Sequence, residues 1–385
     1  MTAVARRPVT LLPWPVDGWL LFAVSSLLAL GIVMVASASV HLDAQRSGIG
    51  HLGKHLVALT LGCAGALALW RIPVAWLEKA SPALYVAGLV LLAIVFIPGV
   101  AHKVNGARRW VQLGGFNVQT SEFMKLFLIL YLAGYLVRRR VEVVHSLWGV
   151  IKPLLLVLLA AGLLMLQPDF GTTAVLVAIT LGMLFLGGAP LWQFGLLIAG
   201  LAVVGGILVW FSPYRMERVV AFLDPWADPY DNGYQLTQAL IAFGRGEWTG
   251  VGLGAGIQKQ YYLPEAHTDF IMAVIGEELG LIGTLTVIAL FAVVVWRAFA
   301  IGTRAEAAGR PYAAYLAWGI GLWLGLQAFI NIGVNVGLLP TKGLTLPFVS
   351  YGSNSLIVVC LAVGILLRIH RENLTGEGAP RRKRS

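Results

Sequence analysis

Residues 267–300 read HTDFIMAVIGEELGLIGTLTVIALFAVVVWRAFA. The stretch opens on His267, Thr268 and Asp269 and then runs almost wholly apolar to Trp296, interrupted by Glu277 and Glu278. A bilayer core about 30 Å thick needs about 20 apolar residues in a helix, so this run is long enough to cross one. A barrel strand would instead take about 10 residues of strict alternation. The whole chain agrees: of its 385 residues 58% are apolar and 12% charged, and the mean hydropathy is +0.80, values foreign to a soluble domain of this size.

Working outward, runs of this kind recur at about 17–40, 52–70, 81–99, 121–137, 148–166, 172–188, 190–210, 269–296, 311–337 and 347–368. The expected fold is therefore all-α and polytopic, a bundle of about 10 transmembrane helices with one large loop between spans 7 and 8. The first run follows Arg6 and Arg7 without a small-residue cleavage site, so it is expected to remain as a span. A single membrane domain over 1–385 follows, with tails at 1–16 and 369–385 and the loop at 211–268.

The basic residues orient this bundle. Arg6, Arg7, Arg71, Lys79, Arg138, Arg139, Arg140, Lys152, Arg297, Arg304, Arg310, Arg368, Arg371 and the closing RRKRS fall on one set of loops. The opposite short loops hold Arg46, Lys54, Lys103, Arg108, Arg109 and Lys342, so both termini are expected in the cytoplasm. The net charge of +10 is then largely topogenic, with the basic tail free to meet anionic lipid, and nucleic acid is not implied. Cys63 and Cys360 lie inside runs and read as small apolar packing residues.

The outward loop, 211–268, is too long for a simple connection. Its middle, GYQLTQALIAFGRG, has helical spacing, and GVGLGAGIQ reads as a turn or a close approach rather than a dinucleotide site, since no strand precedes it. Polar residues elsewhere are few. Glu122 and Lys125 stand at i and i+3 on one helix face, either neutralising each other or serving a site. Asp169 in QPDFGTT reads as a turn former or helix cap, or as a functional acid. Thr268 or Asp269 is placed to cap span 8, and Asp269 equally to face a substrate outside the membrane. At least one of Glu277 and Glu278 is expected to face the bundle interior. Arg108, Arg109, Arg215, Arg218, Arg245, Lys259 and Lys342 share the outer side with Asp269, a mixture that suits an anionic, lipid-attached substrate.

RRWVQLGGFNVQTSEFMKL, QPDFGT, RVVAFLDPWADPYDNGYQLTQALIAFGRGEW, YLPEAHTDFIMAVIGEELG and PTKGLTLPFVSYG occur in this order between about 105 and 365. Together they resemble the SEDS family of cell-wall polymerases, nearer its cell-division than its elongation branch. The resemblance implies a peptidoglycan glycosyltransferase acting on lipid II and a nascent glycan strand in the bacterial cytoplasmic membrane, at the division septum. It implies a class B penicillin-binding protein, a monofunctional transpeptidase, as partner, together with other divisome membrane proteins. It puts the catalytic aspartate at Asp269 and places Arg109, Glu122, Lys125, Asp169 and Ser350 on family motifs around the substrate. Thr120 and the SYGSNS of Ser353 and Asn354 depart from the family's usual proline and glycine.

For such a reaction a sugar hydroxyl needs a base, and Asp269 is the candidate, worth about 10²–10⁴ in rate. One displacement with inversion requires no covalent intermediate. The pyrophosphate leaving group would be met by Arg109, Lys125, Arg218 and Lys342, or by a divalent cation such as Mg2+ or Mn2+, with no organic cofactor. The rival readings are a lipid II transporter and a non-catalytic division scaffold. A transporter needs polar groups along a path through the bilayer, whereas the inner half reads as nearly free of them.

Overall fold

The structure is a computed structural model that describes residues 16–43, 50–97, 101–104, 107–113, 116–231, 233–260, 262–341 and 343–376. Its helices are α1 (Gly18–Asp43), α2 (His51–Arg71), α3 (Val74–Ile94), α4 (Thr120–Arg138), α5 (Arg140–His145), α6 (Leu147–Leu166), α7 (Phe170–Leu186), α8 (Leu191–Trp210), α9 (Pro213–Leu223), α10 (Tyr234–Gly246), α11 (Ile271–Ala307), α12 (Pro311–Asn335) and α13 (Ser353–Thr375). Among the described residues 8 helices are long and apolar enough to cross a membrane: α1 to α4, α6 and α11 to α13. Two shorter apolar helices, α7 and the Leu191–Ile207 stretch of α8, coincide with the sixth and seventh runs. The chain is a helical membrane protein.

Several boundaries differ from the apolar runs for physical reasons. α3 begins at Val74, ahead of the apolar run, because the second turn bearing Glu78 and Lys79 is helical without being apolar, and Pro82 lies inside the helix. α11 continues past Trp296 to Ala307 on good helix formers. α13 starts only at Ser353, since residues 347–351 form a turn. The chain is also not wholly helical. β1 (Ala101–Val104), β2 (Ala107–Leu113) and β3 (Phe116–Gln119) form an antiparallel sheet in that order, with Trp110 opposite His102 on one side and Gln119 on the other. Asn105-Gly106 and Gly114-Gly115 between them are hairpin signals that the membrane-scale reading passed over.

The outer loop folds as α9, α10, a short 3-10 turn at Gln258–Gln260 and connecting turns. The glycine run makes a close approach. α11 breaks at Gly280, where φ is 66° and ψ −162°. The backbone groups opened by the break are taken up by the loop: Val251 and Gly252 N–H donate to the carbonyls of Glu277 and Glu278, and Leu281 and Ile282 N–H to those of Glu247 and Trp248. Only glycines allow this pairing, because a Cβ on Gly250 would stand 2.1 Å from the Glu278 carbonyl oxygen and one on Gly280 2.4 Å from the Gly250 nitrogen.

Both acids beside the break are fully buried and fully engaged. Glu277 accepts from the N–H groups of Ile257 and Gln258 and pairs with Arg245 at 3.4 Å. Glu278 pairs with Lys259 at 2.5 Å and accepts from Ser37 of α1 and the Gly254 N–H. They pin the loop onto the bundle.

The opposite end is not poor in polar groups, contrary to the sequence expectation. Arg297 of α11 binds Asp17 before α1, with His370 of α13 at 3.5 Å, and Glu372 of α13 binds Arg310 and Arg368. Helix periodicity shows which face avoids lipid but not that acid and base meet across helices.

Candidate functional site

Asp269 sits two residues before the start of α11 at Ile271, and its surroundings decide between cap and site. Thr268 does not cap: its hydroxyl donates to Glu265, 2.7 Å from the carboxylate. The N–H of Ala273 is instead shared between the Phe270 carbonyl and, from outside the helix, the side-chain oxygen of Asn335, each at 3.0 Å. The Asp269 carboxylate is therefore not used as a cap.

Its backbone, by contrast, is held on every side. The carbonyl of His267 accepts from the Tyr351 N–H, that of Thr268 from the Ser350 hydroxyl at 2.6 Å, and that of Asp269 from the side-chain amides of Asn331 and Asn335, both at 2.9 Å. Three consecutive carbonyls are thus gripped by α12 and the turn before α13. Asn331 also binds the Leu344 carbonyl, and the Leu346 N–H donates to Ser350, which ties the two gripping elements together. Gly343 lies against the carboxylate: a Cβ there would be 2.8 Å from Asp269 Oδ2.

Partly open to solvent, the Asp269 carboxyl is still surrounded by protein that displaces most of its water. This desolvation pushes its pKa from the ordinary 3.8 up to about 7, with the nearby charge of Glu265 adding to the rise and that of Arg109 opposing it. Burial likewise holds His267 below its usual value, against the pull of Glu265. The His267 ring packs 5.0 Å from that of His51, which bonds Asp43 at 2.6 Å, and 5.6 Å from Tyr351.

The other expected site residues take distinct positions. Arg109, on β2, donates to the carbonyls of Gln167 at 2.9 Å and Pro168 at 2.5 Å, which seats the sheet on the α6–α7 turn within electrostatic reach of Asp269. Asp169 is the cap of α7, accepting from the Thr172 N–H and hydroxyl. Lys125 is fully buried, bonded at 2.9 Å to both Glu122 and Gln327 and lying over the Trp323 ring. Gln327 in turn donates to the Thr345 carbonyl, so this pair connects α4 to the segment that grips Asp269. Arg218 lies in α9, and Lys342 lies outside the described residues.

Sequence reasoning missed Asn331 and Asn335. Their signal was present: with Gln327 they make three amides at four-residue steps in a largely apolar helix, which share one face and need partners there.

The chain matches, over residues 18–375, the family described as cell cycle protein, that of FtsW, RodA and SpoVE. It belongs to this family. A probable peptidoglycan glycosyltransferase FtsW of Allochromatium vinosum is 57% identical over 380 residues, covering 96% of this chain and 94% of the relative. Another so named, from Nitrosococcus halophilus, is 55% identical over 358 residues and 92% of each chain. Among solved structures, a chain from a peptidoglycan synthase complex that coordinates polymerization and crosslinking superimposes with a TM-score of 0.79 at 32% identity, covering 94% of this chain and 99% of that one. The rod shape determining protein RodA of Thermus thermophilus gives 0.68 at 30% identity, over 93% and 97%. The SEDS resemblance therefore holds along the chain. Next to Ser353, where SYGSNS departs from the family's glycine, Asn354 donates from its side chain to the Asn117 carbonyl of β3 at 2.7 Å, joining α13 to the sheet.

Proposed function

We propose that this protein is a peptidoglycan glycosyltransferase that polymerises lipid II, with Asp269 as general base. The observation that carries the reading is the contrast at position 269. The backbone is fixed by three side chains and a backbone N–H acting on consecutive carbonyls, while no described residue hydrogen-bonds the carboxylate. A base needs this combination of fixed position and unused oxygen, together with a pKa near the working pH.

In this mechanism the carboxylate removes the proton of the acceptor's 4-hydroxyl as its oxygen attacks C1 of the lipid-linked donor. The bond from C1 to the pyrophosphate breaks on the far side, and the configuration inverts. Arg109 acts electrostatically on Asp269 and meets the developing charge, with Arg218 and Lys342 as further candidates. Lys125 and Glu122 act at one remove, by holding Gln327 and through it Thr345.

Among the described residues no three His, Cys, Asp or Glu gather to hold a metal ion. Mg2+ or Mn2+, where it takes part, would arrive on the pyrophosphate with its waters and neutralise phosphate charge. The protein's own residues supply the proton transfer.

The excess of basic residues on the loops that include both tails supports an orientation with the termini in the cytoplasm and Asp269 outside. By analogy with the synthase complex, a class B transpeptidase docks on the bundle, and likeness to FtsW relatives favours work at the septum. The test is polymer formation from purified lipid II by the chain with that partner. Wild type should build glycan ladders and Asp269→Asn none. Equal ladders would remove Asp269 from the role of base.

A further inference from the structure

α8, the seventh apolar run, carries Trp192 at one end and Trp210 at the other, both exposed. At the rise of an α-helix the two lie about 27 Å apart, close to the thickness of the hydrocarbon core. Tryptophan gathers at the two levels where hydrocarbon gives way to headgroups, so Trp210 marks the membrane boundary on the Asp269 side. Ser212, in extended backbone, ends the course of α8, and α9 starts at Pro213. Three residue steps reach at most about 11 Å, so α9 begins at that boundary.

At 11 residues α9 is too short to cross a bilayer. Its apolar side nevertheless lacks protein cover. Met216, Val220 and Leu223 recur at i, i+4 and i+7 and share one face. Val220 is 58% exposed and Leu223 74%, and Phe211 before the helix and Trp226 after it are exposed as well. Among the described residues α8 is the one helix with an extensive contact to α9. A surface facing only water rarely carries contiguous large apolar side chains of this kind. The same 11 residues hold Arg215 and Arg218 against a single acid, Glu217. A helix with an apolar face and an excess of basic residues is the form that lies in a membrane interface, its apolar side about 5–10 Å into the headgroup and acyl boundary.

We propose that α9 is an interfacial helix, bound through its Met216, Val220 and Leu223 face to the acyl chains of the membrane lipid on the Asp269 side. Lipid is favoured over a protein partner by continuity: the face follows directly on the lipid-facing end of α8, at the level where the bilayer already ends. The outer loop is then held in two ways, its first part by lipid and its last part by Glu277 and Glu278 of the bundle. Lipid binding by α9 is independent of the assignment of Asp269 as base.

Spin labelling of the full chain in nanodiscs of phosphatidylglycerol and phosphatidylethanolamine tests this. The background is Cys63→Ala, which leaves only the buried Cys360. A nitroxide on Leu223→Cys should collide with oxygen rather than with a water-soluble nickel chelate. Its oxygen-to-nickel collision ratio should exceed that of a nitroxide on Glu217→Cys, an exposed charged position about a quarter-turn off the face, at least threefold. Val220→Cys, on the same face, should report as Leu223→Cys does. Equal ratios at the three positions would put the face in water and overturn the proposal. So would labels at 220 and 223 that neither reagent reaches, which would mean that protein, the loop itself or a second copy, covers the face.

Discussion

Replacing Glu265 with Gln removes a negative charge that helps raise the Asp269 pKa, while leaving an oxygen to accept from Thr268. With the carboxyl pushed up to about 7, it is about nine-tenths ionised at pH 8 and about one-tenth at pH 6. A base acts only when ionised, so kcat/KM for polymerisation should fall about tenfold between those pH values. A carboxyl at its ordinary 3.8 would give a flat line over the same interval. The sign for the variant follows from charge: without Glu265 the ionised form is less opposed, the folded pKa drops, and the acidic limb moves to lower pH. Glu265→Gln should therefore be relatively more active than wild type at pH 6 and similar at pH 8. The assay is the initial rate of polymer formed from subsaturating lipid II in the presence of the transpeptidase partner, from pH 5.5 to 8.5. Ionisation of the substrate is common to both proteins and cancels in their ratio. A wild-type profile flat from pH 6 to 8, or a limb that moves upward in the variant, would refute the reasoning.

Asp269→Asn should lower turnover by at least about 10²–10⁴ while changing stability in the other direction. A raised carboxyl pKa means the folded state resists ionisation, a penalty fully present above about pH 7 and lost as pH falls toward 4, so the variant should melt higher than wild type at pH 8 and converge with it near pH 4. Gly343→Ala puts a methyl 2.8 Å from the carboxylate, so kcat should drop with little change in melting temperature; unchanged kcat would show that the carboxylate has room to move. Lys259→Met leaves Glu278 buried without its cation and should cost about 3–5 kcal/mol, and adding Glu278→Gln should recover part of the loss, as read from melting of the double-mutant set.

What the sequence could reveal follows from what hydropathy measures. Ten apolar runs are visible because each must match the bilayer thickness, and that requirement is met residue by residue along the chain. The amphipathic α10 is legible for a similar reason, its apolar spacing being local. Partnerships are not local. Ser37 and Glu278 are 241 positions apart, Arg297 and Asp17 280, Val74 and Glu372 298, and nothing in either member of a pair names the other. The break at Gly280 was hidden for the same reason: a glycine within an apolar run reads as a small packing residue until the loop that pairs with the opened backbone is in place.

This distinction also explains why Asp269 had to be read by resemblance first and by structure second. In the sequence it is one acid among several near a membrane surface, and as a helix cap it would have been unremarkable. Structure separates these acids by what they have already bonded. Asp17, Glu122, Glu277, Glu278 and Glu372 are each neutralised by a cation, Asp43 is paired with His51, Asp169 caps α7 and Glu265 holds Thr268. A carboxylate bonded in this way already has an oxygen committed to a partner that a substrate hydroxyl would have to displace. At Asp269 the cap is supplied by Asn335 instead, and the bonds that would have occupied its carboxylate are made to its carbonyl. Removing the Asn335 amide should therefore affect catalysis twice, by loosening the position of the aspartate and by leaving the Ala273 N–H, which then keeps only the Phe270 carbonyl, open to its carboxylate. Asn335→Ala should show both a reduced kcat and an acidic limb shifted to lower pH, whereas a merely structural asparagine would alter the melting temperature and leave the pH profile in place.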